Sequence, residues 1–435
     1  MKLNFLDSIG EVWIKRIVIA LRILIGATFV FSGFVKGIDV WGVFYKIQDY
    51  LVAFDWNGLL PFTNVATSII PLFEFLFGFL LMIGTFRKWS VILLLALMGF
   101  MLPLSLYIAI FNPVADCGCF GEAVVISNTA TFVKNIFITL GLVFLFLKND
   151  KVKSLYHPVI QWLSVVVPVL FLLIVMSLGY FIQPLMDFRP YKLETSLSNA
   201  TMLTDDTEFL FIYEKDGVKK EFTIEELPED TAWVFVDRKE IKKDTSAEMV
   251  NHISFFDENG DMVEDDLLSQ GEVALLLVPD IDKVNVASTF NINDLHDLST
   301  DLGVETICLT SGSDSEIHEW RELSLADYPI FTMDDSLLKS MARGNPALVR
   351  LSNGKIVWKV TVDCVDVEDL TDSSYSVEIW IMQNGGKVLI FLAFLALLLL
   401  GFLYLINKTP LLIKLGRTWH RKKKANATKT EKTEA

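Results

Sequence analysis

The chain has 435 residues, 52% of them hydrophobic, and a mean hydropathy of +0.45, well above that of an ordinary soluble domain and expected of a membrane protein. Its net charge of -15 is unevenly spread: residues 184–386 hold 16 Lys and Arg against 42 Asp and Glu, a charge of -26, which leaves +11 for the rest. An acidic segment set into a basic membrane region excludes nucleic acid as a partner, and four cysteines are too few for a stapled secreted scaffold.

In chain order, apolar runs near residues 17–35, 63–85, 89–111, 130–147, 159–182 and 387–406 each have the length needed to cross a bilayer as a helix. The first carries Arg22 and ends at Ser32-Gly33-Phe34-Val35 without a small-residue cleavage site, so it reads as a signal anchor. Basic clusters lie at Lys15-Arg16, Arg87-Lys88, Lys148 with Lys151 and Lys153, and Arg421 to Lys424. Six alternating helices put all four on one side. By the positive-inside rule that side is the cytoplasm, with both termini inside and residues 36–62, the cysteine motif and the acidic segment outside.

Residues 36–62 carry Trp41, Phe44, Tyr45, Tyr50, Phe54 and Trp56 and are expected to form an amphipathic helix lying at headgroup level as an aromatic lid over the bundle, or an ordinary interfacial loop with aromatic anchors. Inside the second span stands Glu74, where ionisation is costly without a wet or paired surrounding. It is a candidate for proton handling, or for simple pairing with Asn64, Arg22 or a backbone group.

The chemistry is concentrated between the third and fourth spans, in Asp116-Cys117-Gly118-Cys119-Phe120-Gly121. Two thiols separated by one residue meet only in a bent backbone, and Gly118 supplies the bend. Their disulfide would close a small, strained ring, and strained disulfides are the labile, catalytic kind. Cys117 and Cys119 are thus the candidate catalytic pair; the bland alternative is two small cysteines that never oxidise. Ser127 or Asn128 is placed to cap the helix that follows, whose dipole would lower a thiol pKa while Asp116 and Glu122 oppose it. No His stands near enough in sequence to suggest a metal site.

The acidic segment reads as mixed α/β. Strands are expected at 208–213, 232–236, 273–278, 305–309, 347–351 and 355–362, and helices near 284–302, 313–322 and 336–341. The run Glu264-Asp265-Asp266 lacks the spaced ligands of a calcium loop and reads as a solvated face. From residue 272 the order is strand, helix, strand, helix, Gly344-Asn345-Pro346, then a hairpin turning at Ser352-Asn353-Gly354. Cys308 falls in a strand and Cys364 beyond the hairpin; they are candidates for a second thiol pair, against a buried free thiol and a structural bridge.

Two resemblances follow from these residues. Four spans with Cys-Gly-Cys-Phe-Gly after the third, Ser32-Gly33 closing the first and Lys134-Asn135 entering the fourth resemble the DoxX-related group with its MauE-like members of methylamine utilisation. That resemblance implies a bacterial inner-membrane helical module that makes or transfers disulfides in a periplasmic protein, though the two further spans and the domain between them depart from it. The segment from about 270 to 365 resembles the thioredoxin fold, with Asn345-Pro346 at the cis-proline loop, which implies a partner-binding edge. Where a redox-active member has Cys-x-x-Cys, this chain has Pro279-Asp280-Ile281-Asp282-Lys283.

The expected architecture is a membrane α-helical bundle with an extramembrane α/β thioredoxin-like domain. It divides into a four-span module at 1–150, a fifth span at 151–183, an acidic mixed α/β segment at 184–271, the thioredoxin-like domain at 272–384, a sixth span at 385–407 and a basic tail at 408–435 that suits anionic lipid. The expected function is thiol–disulfide exchange with a cysteine-bearing periplasmic protein, with a quinone as the candidate acceptor although no residue identifies one. The rival is a non-enzymatic scaffold whose acidic domain binds a partner and whose cysteines are structural. A transporter is disfavoured, because the bundle has few polar residues besides Glu74 and no paired broken helices.

Overall fold

The computed structural model describes residues 2–114, 116–148, 154–197, 208–215, 218–222, 234–241, 253–263, 268, 271–285, 287–365 and 376–409. Lys151, Lys153, the carboxylate run 264–266 and the basic tail from residue 410 lie outside them. The chain forms two compact units, residues 1–188 with 360–435, and residues 189–359.

Among the described residues of the first unit, six helices are long and apolar enough to cross a membrane, in line with the six runs read from the sequence. They are α1 (Lys2–Ile38), α3 (Thr63–Ile83), α4 (Arg87–Phe111), α5 (Asn128–Lys148), α6 (Leu163–Phe181) and, late in the chain, α11 (Gly385–Asn407). Between α1 and α3 lies α2 (Val40–Ala53), capped at its start by the Asp39 carboxylate, which accepts from Gly42 N. A short 3₁₀ turn over Asn57–Phe62 leads into α3. Residues 36–62 are therefore a last turn of α1, a separate helix and a 3₁₀ turn, not one amphipathic helix. Asp39 breaks the run by capping.

Lipid is as apolar as leucine, so burial alone does not hold such helices together; close backbone approach does. Gly33 shows this at the α1–α3 crossing, where an added Cβ would lie 2.4 Å from Phe75 N and 2.5 Å from Pro71 O. Below it, Val18, Ile25, Phe29, Leu81, Leu94, Met98, Leu142 and Leu145 close the four-helix core. Arg22 is buried and donates from Nε to the Leu81 carbonyl at 3.0 Å, near the C-terminal end of α3.

The second unit carries two sheets. Strands β1 (Glu208–Lys215), β2 (Val218–Phe222) and β3 (Val234–Ile241) form an antiparallel sheet in the order β2-β1-β3. The larger sheet has the order β4-β7-β6-β5-β8-β9. Its strands are β4 (Phe255–Phe256), β5 (Glu272–Val278), β6 (Glu305–Thr310), β7 (Ile330–Met333), β8 (Ala347–Ser352) and β9 (Lys355–Thr361). Between them run α7 (Ser288–Asp301), α8 (Asp314–Ser324) and α9 (Asp335–Met341), and beyond β9 comes α10 (Val377–Gln383).

Strand β5 is buried along nearly its whole length, as a near-continuous apolar run demands. It pairs in parallel with β6 and antiparallel with β8, and β6 pairs in parallel with β7. Strands β8 and β9 turn at Asn353 and Gly354, both at positive φ (46° and 75°), the signature of a type I′ hairpin. Central parallel strands with helical crossovers, then a cis Asn345–Pro346 bond, then a terminal hairpin make this a thioredoxin-like mixed sheet. Its core gathers Leu275, Leu277, Ile307, Leu309, Leu338, Val349, Leu351 and Ile356, each worth about 1.5–3 kcal/mol when fully buried.

Candidate functional site

Asn112 ends α4 in a left-handed conformation, and Ser127 opens α5 by accepting from Ala130 N at 3.3 Å; the cysteine loop hangs between them. Asp116 folds back on this loop, its Oδ1 accepting from Gly118 N at 2.7 Å, and Gly121 N donates to Gly118 O at 3.1 Å. Gly118 sits at φ +64°, and a Cβ there would meet Lys46 Cγ at 2.9 Å. A side chain there would be strained and would push Lys46 aside. The bend brings Cys117 Sγ to 3.1 Å from Cys119 Sγ, a hydrogen-bonded pair of free thiols.

Helix α2 is fastened over the loop. Lys46 Nζ pairs with Asp116 Oδ2 at 2.9 Å, and Tyr50 Oη donates to the Cys117 carbonyl at 2.8 Å. Trp41 stacks on Tyr180 with ring centroids 5.1 Å apart and donates from Nε1 to the Tyr180 carbonyl, tying α2 to the C-terminal end of α6. Burial raises the Tyr50 hydroxyl well above its ordinary range, so it stays a donor.

Beneath the loop, α1 and α3 present a buried polar cluster. Lys36 Nζ lies 2.8 Å from both oxygens of Glu74, with side chains only 10% and 6% exposed. Ser32 Oγ stands 2.7 Å from Glu74 Oε2 and 2.6 Å from the Cys119 carbonyl. One hydroxyl proton thus faces two acceptors. Glu74 is paired, as a carboxylate inside a span must be, but with Lys36 and Ser32 rather than with Asn64 or Arg22. Lys36 escaped the sequence reading because the apolar run stops at Val35 while the helix continues to Ile38. The signal was its i, i+4 spacing from Ser32, which puts both on one helix face.

The two thiols are unequal. The hydrogen bond from Cys117 stabilises a Cys119 thiolate, and Lys134 and Lys36 add to this against burial and Glu74, bringing Cys119 down to about 6. The same hydrogen bond and burial push Cys117 far up. Lys134, in α5, places its ammonium 4.2 Å from the centroid of the Phe120 ring, which itself packs 5.5 Å from Phe31.

The other predicted residues lie elsewhere. Cys308 is fully buried in β6, where burial pushes its thiol up to about 12, so it packs as a small apolar residue. Cys364 donates to the Phe181 carbonyl at 3.0 Å, and both cysteines are free thiols. Asn345 holds the loop after β5 through Oδ1 to Asp280 N (3.2 Å) and Nδ2 to Asp280 O (2.6 Å). In the segment Pro279 to Lys283, Ile281–Lys283 form a 3₁₀ turn, and Lys283 pairs with Asp280. Among the described residues no group of three or more His, Cys, Asp or Glu is placed to hold a metal ion.

Comparison with known proteins covers the two parts separately. No curated protein matches the chain. Solved structures similar to it include peroxiredoxins of Xanthomonas campestris. The bacterioferritin comigratory protein, studied in trapped-intermediate and ligand complexes for alkyl peroxide reduction, is 11% identical at a TM-score of 0.21, over 33% of this chain and 91% of that one. Peroxiredoxin Q is 13% identical at a TM-score of 0.22, over 33% and 90%. Residues 207–243, which hold β1 to β3, match a domain of unknown function (DUF8463). Residues 14–148, which carry α1 to α5 and the whole cysteine site, match the family model of the methylamine utilisation protein MauE, and so form a MauE domain within a larger membrane chain.

Proposed function

We propose that Cys117 and Cys119 carry out thiol–disulfide exchange with a cysteine-bearing protein on the outer face of a bacterial inner membrane. The observation that carries this reading is two free thiols 3.1 Å apart, held by a bent loop over a buried charged cluster; the hydrogen bond between them, which favours a thiolate on Cys119 and opposes one on Cys117, supports it. In the oxidised pair, a partner thiolate attacks Cys117 and Cys119 leaves, because the lower-pKa sulfur is the better leaving group. The second partner thiol then displaces Cys117, and the partner's disulfide closes. The reverse sequence reduces a partner disulfide by the same bonds. Orientation rests on the basic clusters, of which Arg87-Lys88 and Lys148 lie at the ends of α4 and α5 opposite the cysteine loop. A quinone would suit as the onward acceptor of the electron pair, and the acidic unit would steer a basic partner toward the membrane.

The test is mixed-disulfide trapping in intact cells. Cys119→Ser leaves Cys117 to hold a partner, and a thiol-linked adduct on a non-reducing gel is expected with that variant and much less with Cys117→Ser. If neither variant yields an adduct and the Cys117→Ser/Cys119→Ser protein keeps full activity, the cysteines are structural and the scaffold reading replaces this one.

A further inference from the structure

Lys134 is the seventh residue of α5, inside a segment apolar enough to cross the membrane. An ammonium there is costly unless it is paired or reaches water. Among the described residues Lys134 makes no ion pair; its contact is the face of Phe120, the residue that follows Cys119. Around it the charges cancel in twos: Lys36 with Glu74, and Lys46 with Asp116. Glu122 is exposed. Lys134 is left over.

We propose that Lys134 is the counter-cation of a Cys119 thiolate and sets the redox balance of the pair toward its reduced form, so that the site takes electrons from partner dithiols. This rests on the exchange reading above and adds to it a direction and a residue. With the disulfide closed, Lys36, Glu74, Lys46, Asp116 and Lys134 together sum to one positive charge beside the loop. With the pair reduced, Cys117 a thiol and Cys119 a thiolate, the site is neutral. The exchange balances as follows: a partner dithiol gives two electrons and two protons, its S–S bond forms and the Cys117–Cys119 bond breaks, one proton stays on Cys117 Sγ and the other leaves to solvent. A disulfide whose reduced form is stabilised in this way is an oxidant of other thiols. The acidity of Cys119, drawn down by Lys134 and Lys36, accords with that assignment.

The experiment equilibrates the full-length protein in lipid nanodiscs with a series of glutathione redox buffers, then quenches and reads the pair by maleimide mass shift. Lys134→Gln is expected to make the disulfide about tenfold harder to reduce, equivalent to roughly 30 mV. Lys134→Arg, which keeps the charge, is expected to stay within about threefold of the unaltered protein. Lys134→Met gives the same readout should Lys134→Gln fail to fold. A pair that closes normally but whose equilibrium is unmoved by loss of the charge, or moved as far by arginine as by glutamine, overturns the role of Lys134 and leaves the exchange reading standing. A pair that never closes in any buffer overturns both.

Discussion

Removing either member of the Lys36–Glu74 pair is expected to destabilise the bundle and to move Cys119 in opposite directions. At 2.8 Å and an effective dielectric of about 20, the Coulomb attraction is about 6 kcal/mol, most of it offset by the desolvation of both groups. The cost of a single removal is set by the charge left behind, and buried pairs broken in this way lose about 3–5 kcal/mol. Lys36→Met should therefore cost about 3 kcal/mol and Glu74→Gln about 4 kcal/mol, while the double replacement should cost less than either, because no charge remains unpaired. Unfolding in mixed detergent micelles measures all three. Alkylation of Cys119 against pH supplies a second readout: its midpoint near 6 should rise in Lys36→Met, where a supporting cation is lost, and fall in Glu74→Gln, where an opposing anion is lost. Single and double costs that simply add, or midpoints that move together, refute the reasoning.

Two further outcomes follow from the same geometry. The reduction potential of the pair should fall by about 59 mV per pH unit below the Cys119 midpoint near 6 and by about 30 mV per unit above it, since a Cys119 thiolate takes up no proton there; the charged and titratable groups acting on Cys119 are Cys117, Lys134, Lys36, Glu74 and Tyr50. The stability that the thiolate lends the reduced protein has the matching sign, present above the ordinary thiol range and lost as pH falls through about 6. Gly118→Ala should cost about 1–2 kcal/mol from its left-handed backbone, together with a displaced Lys46 side chain, and should slow disulfide closure in a timed alkylation assay; closure at the unaltered rate would mean the loop does not need this bend.

Much of this was legible in the residues, and the gaps have physical causes. Spans announce themselves because a bilayer demands about twenty apolar residues in a row, and all six runs coincide with helices. The strands of the central sheet were plain where they are long and fully buried, as in β5 and β6, while β7 was missed because four residues carry no period. Strand β2, Val-Lys-Lys-Glu-Phe, hid behind its charges. The cysteine loop and Glu74 stood out as chemistry in an apolar field. What sequence could not supply was the meeting of Ser32, Lys36, Glu74 and Cys119, which lie as much as 87 positions apart and converge through the α1–α3 crossing at Gly33.

The hydroxyl of Ser32 answers to two acceptors at once. Carrying one proton between a loop carbonyl at 2.6 Å and a carboxylate at 2.7 Å, it donates to one at the expense of the other. A single atom on α1 therefore ties the hydrogen bonding of the cysteine loop to that of the ion pair beneath it.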